Sequence, residues 1–101
     1  MNQTKFRSAV GFSMRAGRCI AGEAACEKAV KCGKAKLVLI DSGSSEKTLE
    51  RWRGFCERAE LTVLETEQLG SLIGKPGRKV AAILDKGFSD MITDAYYERR
   101  N

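Results

Sequence analysis

Leu37, Val38, Leu39 and Ile40 are four apolar residues in unbroken succession, closed by Asp41. A strand with one wet face alternates apolar and polar side chains; a strand that is apolar on both faces must be covered on both. This run therefore argues against a sheet with one wet face and asks for helices on either side of it. The flanking segments can supply them. Between Lys5 and Ala16, Phe6, Ala9, Val10, Phe12 and Met14 recur at helical spacing, and Gly17 can end the helix. Residues 18–21 read as a short strand. Gly22 opens a second helix with Ala25, Cys26, Ala29 and Val30 inward, a favourable Glu27–Lys31 pair outward, and Gly33 as its stop.

After the apolar strand, SGSS at 42–45 offers cap residues for a third helix, on which Leu49, Trp52, Cys56 and Ala59 form one stripe. LTVL at 61–64 reads as a strand, Thr66 as the cap of a short helix ending at Gly74, and VAAIL from Val80 as the last strand. Ser89 is the expected cap of a final helix through Met91, Ile92, Ala95 and Tyr96. The order α-β-α-β-α-β-α-β-α over 101 residues predicts one domain spanning 1–101. Its expected fold is a three-layer α/β/α sandwich around a four-stranded, mostly parallel but mixed sheet. Any reversed strand is expected at a short edge.

Charge is distributed unevenly. Up to Lys36 there are eight bases against two acids; the remaining 65 residues hold ten bases and eleven acids. The whole excess of +5 thus comes from the first third, as a polyanion-binding surface would require. No apolar stretch approaches the roughly 20 residues needed to span a bilayer, and the N-terminal residues lack the apolar core of a signal peptide. The expectation is a cytoplasmic protein with no membrane partner. Cys19, Cys26, Cys32 and Cys56 match no common zinc spacing and read as reduced thiols. The absence of histidine removes the commonest general base. Neither a metal, a cofactor nor catalysis is expected. Asp41 and Asp85 follow strands, where loop starts or helix caps explain them more simply than a metal pair.

GSLIGKPGRK at 70–79 looks like a phosphate loop but fails the Walker spacing. Only three residues separate Gly70 from Gly74, Pro76 stands where a hydroxyl is required, and a strand follows rather than a helix. What remains is a tight turn crowded by Lys75, Arg78 and Lys79, suited to a backbone phosphate. The start of the second helix offers unpaired N–H groups and a positive dipole end, with Arg18 before it and Lys28 and Lys31 after it. Glu23, on the polar face, can cap that helix or accept hydrogen bonds from bases.

The run from Ala16 to Thr48, followed by LETEQLGSLIGKPGRKVAAILDKGF at 64–88, resembles the YlxQ-type bacterial branch of the kink-turn-binding ribosomal-protein superfamily. The resemblance implies an α/β/α domain that binds structured RNA, ribosomal or on the ribosome, through the start of the second helix and the loop before the last strand. In that superfamily the helix begins Gly-x-Asn-Glu-x-x-Lys. Gly22 and Lys28 match; Ala24 and Ala25 occupy the Asn and Glu positions. The expected RNA-binding set is Arg15, Arg18, Gly22, Glu23, Lys28, Lys31, Lys75, Arg78 and Lys79. The competing expectation is a protein-interaction module that keeps the fold without kink-turn recognition.

Overall fold

Four strands and five helices alternate along residues 3–98, the part of the chain that the computed structural model describes. They are α1 (Gln3–Arg15), β1 (Cys19–Ala21), α2 (Glu23–Lys31), β2 (Leu37–Asp41), α3 (Glu46–Arg58), β3 (Val63–Thr66), α4 (Leu69–Leu72), β4 (Val80–Ile83) and α5 (Lys86–Tyr97). The sheet order is β1-β4-β2-β3. β2 and β3 run parallel, with Val38 opposite Val63, while β4 is antiparallel to both β1 and β2. The sheet is mixed as expected, but its reversed strand is interior rather than at an edge. Because β4 returns between β1 and β2, the two strands joined through α2 are not neighbours.

Both faces of the sheet are covered. Leu37, Leu39, Ala81 and Ile83 pack with Phe6, Val10, Leu69 and Ile92 beneath α1, α4 and α5. Val38, Ile40, Val80 and Ala82 pack with Cys26, Leu49, Trp52 and Cys56 beneath α2 and α3. All four apolar residues of β2 are fully buried, each contributing roughly 1.5–3 kcal/mol relative to exposure. That double cover is what the unbroken apolar run demanded.

Local chemistry explains where elements end. Gly17, Gly33 and Gly74 take positive φ (72°, 73° and 72°) just past helix ends, as anticipated. Ser45 caps α3, accepting the Thr48 N–H at 3.2 Å. Two expected caps are replaced. Asp85, not Ser89, caps α5 by accepting the Phe88 N–H at 2.9 Å; Ser89 is buried one turn into the helix. Thr66 belongs to β3, and the first N–H of α4, that of Leu69, is instead taken by Asp41 Oδ2 at 2.9 Å. A carboxylate from a distant strand has displaced the local hydroxyl.

The stripes also shift. The buried side of α1 follows Phe6, Ala9, Val10 and Ser13, leaving Phe12 about a third of a turn away and 51% exposed. Ser13 tolerates burial because its hydroxyl donates to the Val10 carbonyl at 2.7 Å. Met91 is 50% exposed on α5, and Ala25 and Ala59 face outward as well. In each case an apolar residue flanking the buried stripe points to solvent.

Candidate nucleic-acid interface

Gly22 links β1 to α2 with φ 104° and ψ 143°, a backbone region that residues with a Cβ rarely enter. Its N–H continues the β1–β4 ladder to the Val80 carbonyl at 2.9 Å, and its carbonyl receives the first helical bond, from Cys26. No side chain caps α2, so the N–H groups of Glu23, Ala24 and Ala25 lie at the positive end of the helix without an intrahelical acceptor. Ala24 and Ala25 are exposed there.

The second component arrives through β4. Because that strand is interior, the loop leading into it enters between the ends of β1 and β2. Lys75, Pro76, Gly77 and Arg78 form a turn with the pattern of type II: proline second, glycine third at φ 87°, and the Arg78 N–H donating to the Lys75 carbonyl at 3.2 Å. The turn is seated on α4, where the Lys75 N–H donates to the Gly70 carbonyl at 2.8 Å. A Cβ on Gly70 would stand 2.8 Å from the Lys75 carbonyl oxygen, so the loop rests against that glycine. Arg78 then reaches across to the start of α2: its Nη1 lies 3.8 Å from where a Cβ on Gly22 would be. Lys79 turns the other way, its Nζ 4.0 Å from the corresponding point on Gly43. Beneath it, Asp41 accepts the Gly43 N–H at 2.7 Å and the Leu69 N–H at 2.9 Å, tying the end of β2 to α4.

The acids beside this site are already engaged. Arg51 of α3 reaches Glu23 at 3.7 Å and Glu27 at 3.3 Å, and Lys31 pairs with Glu27 at 3.3 Å. Glu23 and Lys31 are thus drawn toward α3. Lys28, on the outward side of α2, enters no ion pair among the described residues; neither do Lys75, Arg78 or Lys79. The role of Arg51 had no signal in the sequence, since it follows from the packing of α2 against α3.

Of the nine expected site residues, the structure brings Gly22, Glu23, Lys75, Arg78 and Lys79 to one end of the sheet; Lys28 lies about 9 Å and Lys31 about 13 Å further along α2. The structure does not bring Arg15 and Arg18 to that end. The Arg18 carbonyl accepts from Leu84, beyond the far end of β4, four residues or about 13 Å of strand from Gly22. Arg15 stacks over Phe12 at 4.9 Å on the opposite face of the sheet from α2. A strand traversed end to end separates charges that sit close in sequence.

Among the described residues no group of three metal-ligating side chains exists, and no helix is long and apolar enough to cross a membrane. Asp41 and Asp85 are spent on backbone N–H groups. All four cysteines are free thiols. Burial pushes Cys19 up to about 11, partly offset by a hydrogen bond with Ser13; burial pushes Cys26 up to about 12 and Cys56 to about 11. None of these three is a thiolate nucleophile near neutral pH.

The family model for the ribosomal protein L7Ae/L30e/S12e/Gadd45 family matches residues 4–93. An RNA-binding protein YlxQ from Enterococcus faecium is 33% identical over 91 residues, 87% of each chain. One from Bacillus subtilis (strain 168) is 30% identical over 86 residues, 82% of this chain and 86% of the relative. A protein of unknown function from Bacillus halodurans superposes with a TM-score of 0.87 at 30% identity, covering 93% of this chain and 98% of the other. The Giardia lamblia 15.5kD RNA binding protein shares the fold at a TM-score of 0.74 and 18% identity, over 93% of this chain and 83% of its own.

Proposed function

The chain belongs to the ribosomal protein L7Ae/L30e/S12e/Gadd45 family, and from that membership we propose that it binds structured RNA. The reading is of a cytoplasmic, non-catalytic protein whose RNA is ribosomal or ribosome-associated. Two of its relatives carry RNA-binding names. The observation that carries the reading is the approach of Arg78 to Gly22, which joins two segments more than fifty residues apart at the start of α2.

A phosphate lodged at the start of α2 would meet backbone N–H groups, the positive end of the helix and the Arg78 guanidinium together. Gly22, lacking a side chain, lets the backbone approach. Lys28 and Lys75 extend the cationic surface on either side, and Lys79 continues it toward the Ser42–Ser44 turn. Glu23 remains at the rim, where its carboxylate can accept from a base. Lys31 contributes long-range field, since Glu27 holds it. Arg15 and Arg18 are left out of this surface.

Phosphate contacts fix position without reading sequence. The superfamily resemblance assigns base readout to an Asn and a Glu where Ala24 and Ala25 stand, and alanine has no hydrogen-bonding side chain. Each lost base-edge pair removes about 1–3 kcal/mol of discrimination. The reading is therefore of RNA recognised by backbone shape and charge, with a different specificity or weak kink-turn binding.

Binding to ribosomal RNA fragments, titrated with monovalent salt, tests it. Affinity should fall steeply with salt, and K28Q and R78Q should each reduce the slope by about one. A slope near zero for the unaltered protein refutes the proposal.

A further inference from the structure

The exposed large apolar side chains among the described residues, Phe12, Met91 and Tyr97, all lie on α1 or α5. Phe12 and Met91 line a groove of about 610 Å³ between these helices, on the opposite face of the sheet from α2. An apolar groove rimmed by charge is a recurrent signature of an interaction surface. We propose that this groove is the interface of a homodimer, in which each α1 lies on the α5 of a second copy.

The charges identify the partner. α1 contains Lys5, Arg7 and Arg15 and no acid; α5 and the residue after it carry Asp90, Asp94 and Glu98 against Lys86, which holds Asp90 at 2.9 Å. Lys5 lines the groove on one side and Asp94 and Glu98 on the other, and Arg15 stacks over the ring of Phe12, which also lines it. The two helices are antiparallel, since Lys5 near the start of α1 meets Glu98 just past α5 at 3.4 Å. Rotating a copy by 180° about an axis along the groove superposes its α1 on this α5 without shifting either helix lengthwise. Basic helix then meets acidic helix twice, and Phe12 of each copy falls over Met91 of the other, an aromatic–thioether contact. The alternative rotation, about an axis across the helices, would set α1 on α1 and α5 on α5, opposing like charges. The surface is complementary to itself in one arrangement.

The size of the face sets the strength. Helices of 13 and 12 residues are about 19 Å long, and a pair packs 8–10 Å apart. A face of roughly 19 by 20 Å buries on the order of 800 Å² in a dimer, below the usual range for permanent interfaces. The dimer is therefore a concentration-dependent one. It leaves the start of α2 open, so a dimer would offer two of the proposed RNA surfaces.

Sedimentation equilibrium on the RNA-free protein over a wide concentration range tests this independently of the RNA reading. The chain should self-associate at low ionic strength and dissociate as salt is raised. F12E and M91E should each weaken association at least tenfold while Trp52 fluorescence and circular dichroism stay unchanged. K5E/R15E and D94K/E98K should each be monomeric alone, and mixing them should restore a heterodimer, because each reversed helix then meets an opposite charge. A wild-type chain that stays monomeric throughout, or a mixture that fails to associate, overturns the proposal. So does a loss of RNA affinity in F12E with no change in mass, which would make the groove an RNA contact.

Discussion

Replacing Asp41 with alanine should separate what holds the binding loop from what binds. Asp41 is 7% exposed, and its carboxylate accepts two backbone N–H groups, at 2.7 Å from Gly43 and 2.9 Å from Leu69. The Leu69 donor is buried, and leaving it without an acceptor costs about 2–3 kcal/mol. Gly43 is exposed, so water can replace its lost partner at about 1 kcal/mol or less. The sum, about 3 kcal/mol, is a large share of the 5–15 kcal/mol typical of a domain. The single, fully buried Trp52 reports global unfolding in urea. With a slope near 1.5 kcal/mol/M, the midpoint of D41A should fall by roughly 2 M. D41N should lose about half as much, because its amide oxygen can keep one donor while its NH₂ opposes the other. A loss under 1 kcal/mol for D41A, at unchanged slope, would show that Asp41 does not secure α4.

G70A places a Cβ 2.8 Å from the Lys75 carbonyl oxygen and 3.1 Å from the Gly77 nitrogen, both backbone. Overpacking of this kind costs about 1–3 kcal/mol, and the displaced loop should also flatten the salt dependence of RNA binding, read by the same titration. In the native protein at pH 8 a disulfide reagent should titrate one thiol, the exposed Cys32, and all four after denaturation. Stability should be insensitive to the three buried thiols below about pH 9, then decline toward pH 11. Above pH 9 the unfolded chain releases thiol protons that the folded one, with values of about 11 to 12, retains. Urea midpoints between pH 7 and 10.5 measure this, and a midpoint independent of the C19A, C26A and C56A substitutions across that range would contradict it.

Much of the framework was legible because it is written in short-range physics. The apolar run at 37–40 demanded cover on two faces, the positive-φ glycines at 17, 33 and 74 ended helices, and Ser45 capped one. These depend on side-chain period and backbone sterics over a few residues, which a linear reading can follow. Errors arose where two choices were locally equal. Phe12 and Ser13 are adjacent, and hydrophobicity favoured the wrong one for the buried stripe. Thr66 was a plausible cap until a carboxylate 28 positions away took the same N–H.

The sequence by itself determined the order of elements, the need for two helical layers, and the two segments rich in cations. Tertiary structure decided which cations meet. Inserting β4 between β1 and β2 carries Arg78 to Gly22 and leaves Arg18 at the far end of the strand, although Arg18 is the nearer in sequence. The packing of α2 on α3 likewise chose Arg51 to hold Glu23 and Glu27. Charge attraction depends on distance through space, and strand order sets that distance through contacts that no local stretch encodes.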